Sequence, residues 1–158
     1  MDNLINKDEK SILILGSYHD RPFERLEDLK LHLIDKGYID TNLVSDLNFD
    51  AVEKERNREL TGLEKSIIAI ETAAQADLIL AIFFDDCDNS SLVLESKHII
   101  SDPIIASRTL FFGEPEALRA LPDDLFSATP YSPKEIDNFV SLNEMIDSIL
   151  YTRILMGL

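Results

Sequence analysis

Between residues 85 and 95 the sequence runs Asp85, Asp86, Cys87, Asp88, Asn89, Ser90, Ser91, then three apolar residues and a lone acid, Glu95. Several chemistries use residues of these types. A calcium loop needs oxygen ligands at alternating positions, a central glycine and a distal bidentate acid. This stretch has no glycine, and the three histidines, His19, His32 and His98, are too dispersed to form a transition-metal site. No metal and no cofactor are expected. A phosphoacceptor aspartate at Asp85 or Asp86 would want an acidic pair after the first strand and a lysine after the last. Ser17-Tyr18-His19-Asp20 and Arg108 stand at those places instead. A thiol nucleophile wants a neighbouring base. Cys87 has no histidine near it in sequence and reads as a small buried residue.

Glu95 is different. With Ser91 as N-cap it falls at N4 of a helix, one residue too far on for a capping box. Leu92 and Ile99 flank it at i−3 and i+4, so it stands at the edge of an apolar stripe. Burial there would raise the pKa of a carboxyl group, and the helix N-terminus would lower it.

The elements around it alternate. Ser11–Gly16 is an apolar run closed by glycine, as expected of a strand covered on both faces. Phe23–Lys36 carries Leu26, Leu29, Leu33 and Ile34 on one helical stripe, with Gly37 in the stop position. Thr41–Val44 is a weaker strand, Leu63–Ala74 a helix, Leu78–Phe84 a strongly apolar strand and Ser91–Ile100 a helix. Pro103–Ser107 reads as the fourth strand, with Leu110–Phe112 extending it or forming another. A short helix falls between Pro115 and Pro122. Ser132, Pro133 and Glu135 have the N-cap, N1 and N3 pattern of a helix start, placing a C-terminal helix at 132–155. Residues 1–9 are a polar tail, and 46–62, charged all round in "EKERNREL", read as a solvated helix or a mobile loop with no readable function.

This order predicts one α/β domain over 1–158, a flavodoxin-like three-layer sandwich with a parallel sheet of four to five strands. Ligands of such sheets bind outside the carboxyl ends of the strands. The residues in question are therefore Gly16–Arg21, Ser45-Asp46, Asp85–Ser91 and Ser107-Arg108. There is no GxGxxG or GxxxxGK[ST] turn for a pyrophosphate.

Composition narrows the partners. The chain carries 30 acidic and 15 basic residues, a formal charge of −15. That disfavours nucleic acid or an anionic membrane as the main partner. One cysteine excludes an internal disulfide and suits a reducing, cytoplasmic setting. No apolar run reaches the roughly 20 residues of a membrane span.

"ADLILAIFFDDCDNSSLVLE" resembles the nucleoside 2-deoxyribosyltransferase family. Ala76-Asp77-Leu78 matches the family's entry to the strand. Asn89-Ser90-Ser91 stands where Asp-Ser-Gly is frequent, and Glu95 falls at the place of the nucleophile. "ILILGSY" is similar to the family's opening strand, whose small residue and aromatic, here Gly16, Ser17 and Tyr18, reach the pocket. The resemblance spans roughly residues 11–110. It implies attack by Glu95 on the sugar carbon bonded to a base, with departure of the base and resolution by another base or water. It further implies that Tyr18 orients Glu95, that Asn89, Ser90 and Ser91 hold sugar hydroxyls, and that Asp86 or Asp88 serves the base. The partner would be a small-molecule nucleoside or nucleotide, and the protein a homo-oligomer. An acid is usual where Asn89 stands and a glycine where Lys97 stands. "ILGSYHDRPFERLEDLKLHLIDKGY" also resembles the opening of Toll/interleukin-receptor-like domains, some of which cleave NAD at its ribosyl bond, although the aromatic-cysteine element before the glutamate is missing. A non-catalytic nucleotide-sensing or protein-interaction domain of the same fold is the alternative from another class.

Overall fold

The computed structural model describes residues 7–17, 20–47, 49–85, 87–126, 132–136 and 139–155. Five strands, β1 (Ser11–Leu15), β2 (Asp40–Leu43), β3 (Leu78–Phe83), β4 (Thr109–Gly113) and β5 (Lys134–Glu135), form one sheet in the order β2-β1-β3-β4-β5. Every pairing is parallel. The helices are α1 (Asp20–Asp35), α2 (Phe49–Arg56), α3 (Gly62–Gln75), α4 (Ser90–Ser101), α5 (Pro103–Ala106), α6 (Pro115–Arg119) and α7 (Phe139–Leu155). This is the flavodoxin-like α/β sandwich.

The strand pleat sorts the core into two layers. Ile12, Ile14, Leu80, Ile82 and Phe112 join Leu26, Leu29 and Leu33 of α1 and Leu142, Ile146 and Leu150 of α7 on one face. Leu13, Leu15, Ile79, Ala81, Phe83 and Phe111 join Ala69 and Ala73 of α3 and Leu92 and Ile99 of α4 on the other. Being covered on both sides, β3 and β4 are buried at every position.

Gly37 ends α1 in the left-handed region, φ 107°, and Tyr38 N donates to Leu33 O at 3.0 Å across the turn. Gly113 serves a different need. A Cβ there would collide with the Leu118 side chain of α6. Gly113→Ala should therefore destabilise the fold by about 1–3 kcal/mol, measured as a lower denaturation midpoint.

Three sequence expectations change. Pro103–Ser107 is not a strand: Asp102 accepts hydrogen bonds from Ile104 N and Ile105 N, and Pro103 occupies N1 of the short helix α5. An apolar run after Asp-Pro was an N-cap signal, and the fourth strand begins at Thr109. Ser107 and Arg108 consequently lie at the amino end of β4. The Arg108 guanidinium donates to Ala76 O and Ala74 O, both at 3.0 Å, closing the carboxyl end of α3. The Ser132-Pro133 signal does not start a helix either. Lys134 and Glu135 pair with Phe112 and Gly113 as an edge strand, and α7 begins at Phe139. Sheet pairing there overrides a local capping pattern. Of the two readings of 46–62, the solvated helix holds over Phe49–Arg56: α2 has no buried residue.

No described helix is long and apolar enough to cross a membrane.

Candidate functional site

The chain order crosses from one side of β1 to the other between β2 and β3. That switch point is where α/β sheets of this order leave a crevice at their carboxyl ends. A cavity of about 430 Å³ lies there. Gly16 and Ser17 follow β1 into it, and Val44 and Ser45 follow β2. Phe49 comes from α2, and Gly62, Lys65 and Ser66 from the first turns of α3. Asp88 precedes α4, and Ser91, Leu92 and Glu95 lie on it.

Glu95 is 5% exposed, a carboxyl group set into the packed interface of α3 and α4. Helix α4 starts at Ser90 with Asn89 as N-cap, two residues earlier than the sequence reading, so Glu95 lies two positions deeper, at N6, away from the stabilising N-terminal turn. The Ser66 side chain of α3 lines the same cavity and stands near enough to its carboxyl group to favour ionisation. Burial pushes its pKa from the ordinary 4.5 up to about 7, against the smaller lowering effect of Ser66. Near neutral pH both protonation states are populated.

Ser17 is buried as well. Its hydroxyl has no partner at hydrogen-bonding geometry among the described residues, although it stands near enough to the Cys87 thiol to favour ionisation there. Burial nevertheless raises the Cys87 pKa on balance, and its thiol donates to Phe84 O at 3.1 Å. That is the environment of an inert thiol. Lys65 is the cation of the described lining, with its ammonium 5.7 Å from the centre of the Phe49 ring.

The acidic loop has mostly local duties. Asp85 Oδ1 accepts from Ala117 N at 2.6 Å, and its own N–H donates to Glu114 Oε1 at 2.9 Å. Glu114 in turn pairs with Arg25, 3.3 Å away, tying α1 to the carboxyl ends of β3 and β4. Asp88 Oδ1 accepts from Ser90 N at 2.9 Å and from the Ser90 hydroxyl. Asn89 Nδ2 donates back to Phe84 O at 3.0 Å. So Gly16, Ser17, Asp88, Ser91 and Glu95 line the cavity, whereas Asn89 and Ser90 are absent from its described lining. Tyr18 and Asp86 lie outside the described residues. Of the pair Ser45-Asp46 only Ser45 lines the cavity; Asp46 pairs with Lys30 at 2.7 Å and accepts from Leu43 N.

Sequence reasoning missed the α2–α3 wall: Phe49, Lys65 and Ser66. The one available signal was Thr61 and Glu64, a capping box that starts α3 and so fixes its first turn beside the cavity. Arg56 and Arg58 both pair with Glu64, at 2.8 and 2.6 Å, and the Arg58 guanidinium together with the Thr61 N–H holds its carboxyl group well below the usual range.

Among the described residues no group of three or more His, Cys, Asp or Glu side chains is placed to hold a metal ion. No protein-family model matches the chain, and no curated protein matches it.

Proposed function

We propose that the protein cleaves or exchanges the N-glycosidic bond of a small nucleoside or nucleotide, with Glu95 as the nucleophile. The observation that carries this reading is the placement of Glu95. It is a buried carboxyl group that reaches a ligand-sized cavity at the carboxyl ends of the strands, and among the described residues no cation or cap neutralises it. Retaining such a group in the interior is costly, and perturbed carboxyl groups in clefts mark reactive sites.

In this account a Glu95 carboxylate oxygen forms a bond to the anomeric carbon as the carbon–nitrogen bond breaks. The electron pair passes to the base nitrogen, which takes up a proton as the base departs. Water or a second base then attacks the same carbon, and Glu95 leaves as carboxylate. The hydroxyls of Ser17, Ser45 and Ser91 surround the space for the sugar. Phe49 and Leu92 offer apolar faces to the base. Exposed Leu63 and Ile67 on α3 and Leu94 on α4 favour association of copies on the same side of the molecule as the cavity. The free Cys87 suits a reducing compartment.

A second reading is favoured by the Asn89 and Asp88 contacts. Both side chains serve the loop itself, as in a domain that binds a nucleotide without turning it over. The discriminating experiment incubates the protein with 2′-deoxynucleosides, nucleoside monophosphates and NAD and follows free base by chromatography. Release of base from one of these classes supports the enzyme. Saturable binding without release supports the sensor.

A further inference from the structure

We propose that Lys65 determines substrate specificity: its ammonium takes the 5′-phosphate at the solvent-facing end of the cavity, so that nucleoside monophosphates are bound in preference to nucleosides. This rests on the reading of the ligand as a nucleoside or nucleotide attacked by Glu95.

The cavity has two ends. Glu95, Ser17, Ser66 and Leu92 line it and are at most 7% exposed, whereas Ser45, Gly62 and Lys65 line it and are exposed. A Cβ at Gly62 would meet nothing within 4 Å, so the space beside the first turn of α3 is open. A phosphomonoester is strongly hydrated and costly to bury. Beside the Glu95 carboxylate it would also meet like charge. The anomeric carbon therefore goes to the buried end, and the phosphate stays at the exposed one.

Lys65 stands at that exposed end. The Thr61–Glu64 capping box fixes the turn that carries it, and its ammonium lies 5.7 Å from the centre of the Phe49 ring, which lines the same cavity. A ring face supplies no lone pair, so the ammonium keeps N–H donors for an anion. Among the described residues Lys65 forms no ion pair, although the chain has 30 acidic residues to 15 basic. Its neighbour Glu64 is engaged by Arg56 and Arg58 at 2.8 and 2.6 Å. The charged groups of the described lining besides Lys65 are Glu95, at the buried end, and Asp88, which accepts from Ser90 N at 2.9 Å on the α4 side. A cation that faces a cavity without a carboxylate partner is available to orient a charged ligand.

The test measures binding by calorimetry in the Glu95→Gln background, where nothing turns over, with Lys65 retained or changed to Gln or Arg. The probes are the common nucleosides and deoxynucleosides and their 5′-monophosphates. Residue 65 is exposed and helical, and Gln and Arg are good helix formers, so both variants should fold. With Lys65 present, a monophosphate should bind roughly tenfold tighter than its own nucleoside. Lys65→Gln should bring that ratio close to one, and Lys65→Arg should restore it. A monophosphate bound no tighter than its nucleoside, a ratio that survives Lys65→Gln, or no binding in either series overturns the role of Lys65. Base release with Glu95 intact separates the two claims. Lys65-dependent binding of monophosphates with no release supports the phosphate site and defeats the nucleophile. Equal release from nucleosides and monophosphates defeats the phosphate site and leaves the nucleophile standing.

Discussion

Glu95→Gln should lower base release by at least about 10³-fold, because removing a covalent nucleophile removes the reaction path and not merely a contact. Glutamine keeps the shape of glutamate without its charge, so the cavity and the α3–α4 interface are preserved. The expected signature is therefore a fall in kcat with substrate affinity nearly unchanged. Loss of binding together with activity would point to a damaged pocket, and circular dichroism with ligand titration separates the two. The pH profile gives a second check. A carboxylate nucleophile works ionised, so kcat/KM should rise with pH and level off above about 7, where burial has placed the Glu95 pKa.

Stability should move the opposite way. The folded pKa of Glu95 is raised from 4.5 to about 7, so between these values the folded protein binds more protons than the unfolded chain. The stability associated with the neutral carboxyl is fully present below pH 4.5 and is lost as pH rises through about 7. At 1.36 kcal/mol per pKa unit, the loss by pH 8 is about 3 kcal/mol. Glu95→Gln carries no such titration. Denaturant midpoints of wild type and variant should therefore be close at pH 4.5 and diverge toward pH 8, with the variant the more stable. Parallel curves for the two proteins would mean that Glu95 is ordinary in its protonation. A site that becomes more active as it becomes less stable is the usual consequence of holding a charge in an apolar setting.

The sheet was legible where burial on both faces writes continuous apolar runs, as in Ser11–Leu15 and Leu78–Phe83, and where Gly37 marks a left-handed stop. It was misread where short-range signals compete with pairing. Lys134-Glu135 is two residues long and exposed, so only its ladder with β4 makes it a strand. The site was half legible for a related reason. Ser91 and Glu95 are one helical turn apart on α4, and spacing alone puts them together. Ser66 comes to the same cavity as Glu95 only through the packing of α3 on α4, which has no local signature. Phe49 belongs to a helix without a buried residue, whose pattern therefore says nothing about which side faces the cavity. The conspicuous aspartates drew attention that their roles do not reward: Asp85 caps α6 and Asp88 holds Ser90.

The most direct test of the account is to trap the covalent intermediate. The protein is mixed with whichever of the nucleosides, nucleotides or NAD releases base, quenched in acid within the first turnovers, digested and analysed by mass spectrometry. The expected result is a sugar-derived mass increase on the peptide carrying Glu95, located at that residue by fragmentation and absent from Glu95→Gln. Base release with no adduct at Glu95, an adduct on another side chain, or no release from any of these compounds would contradict it.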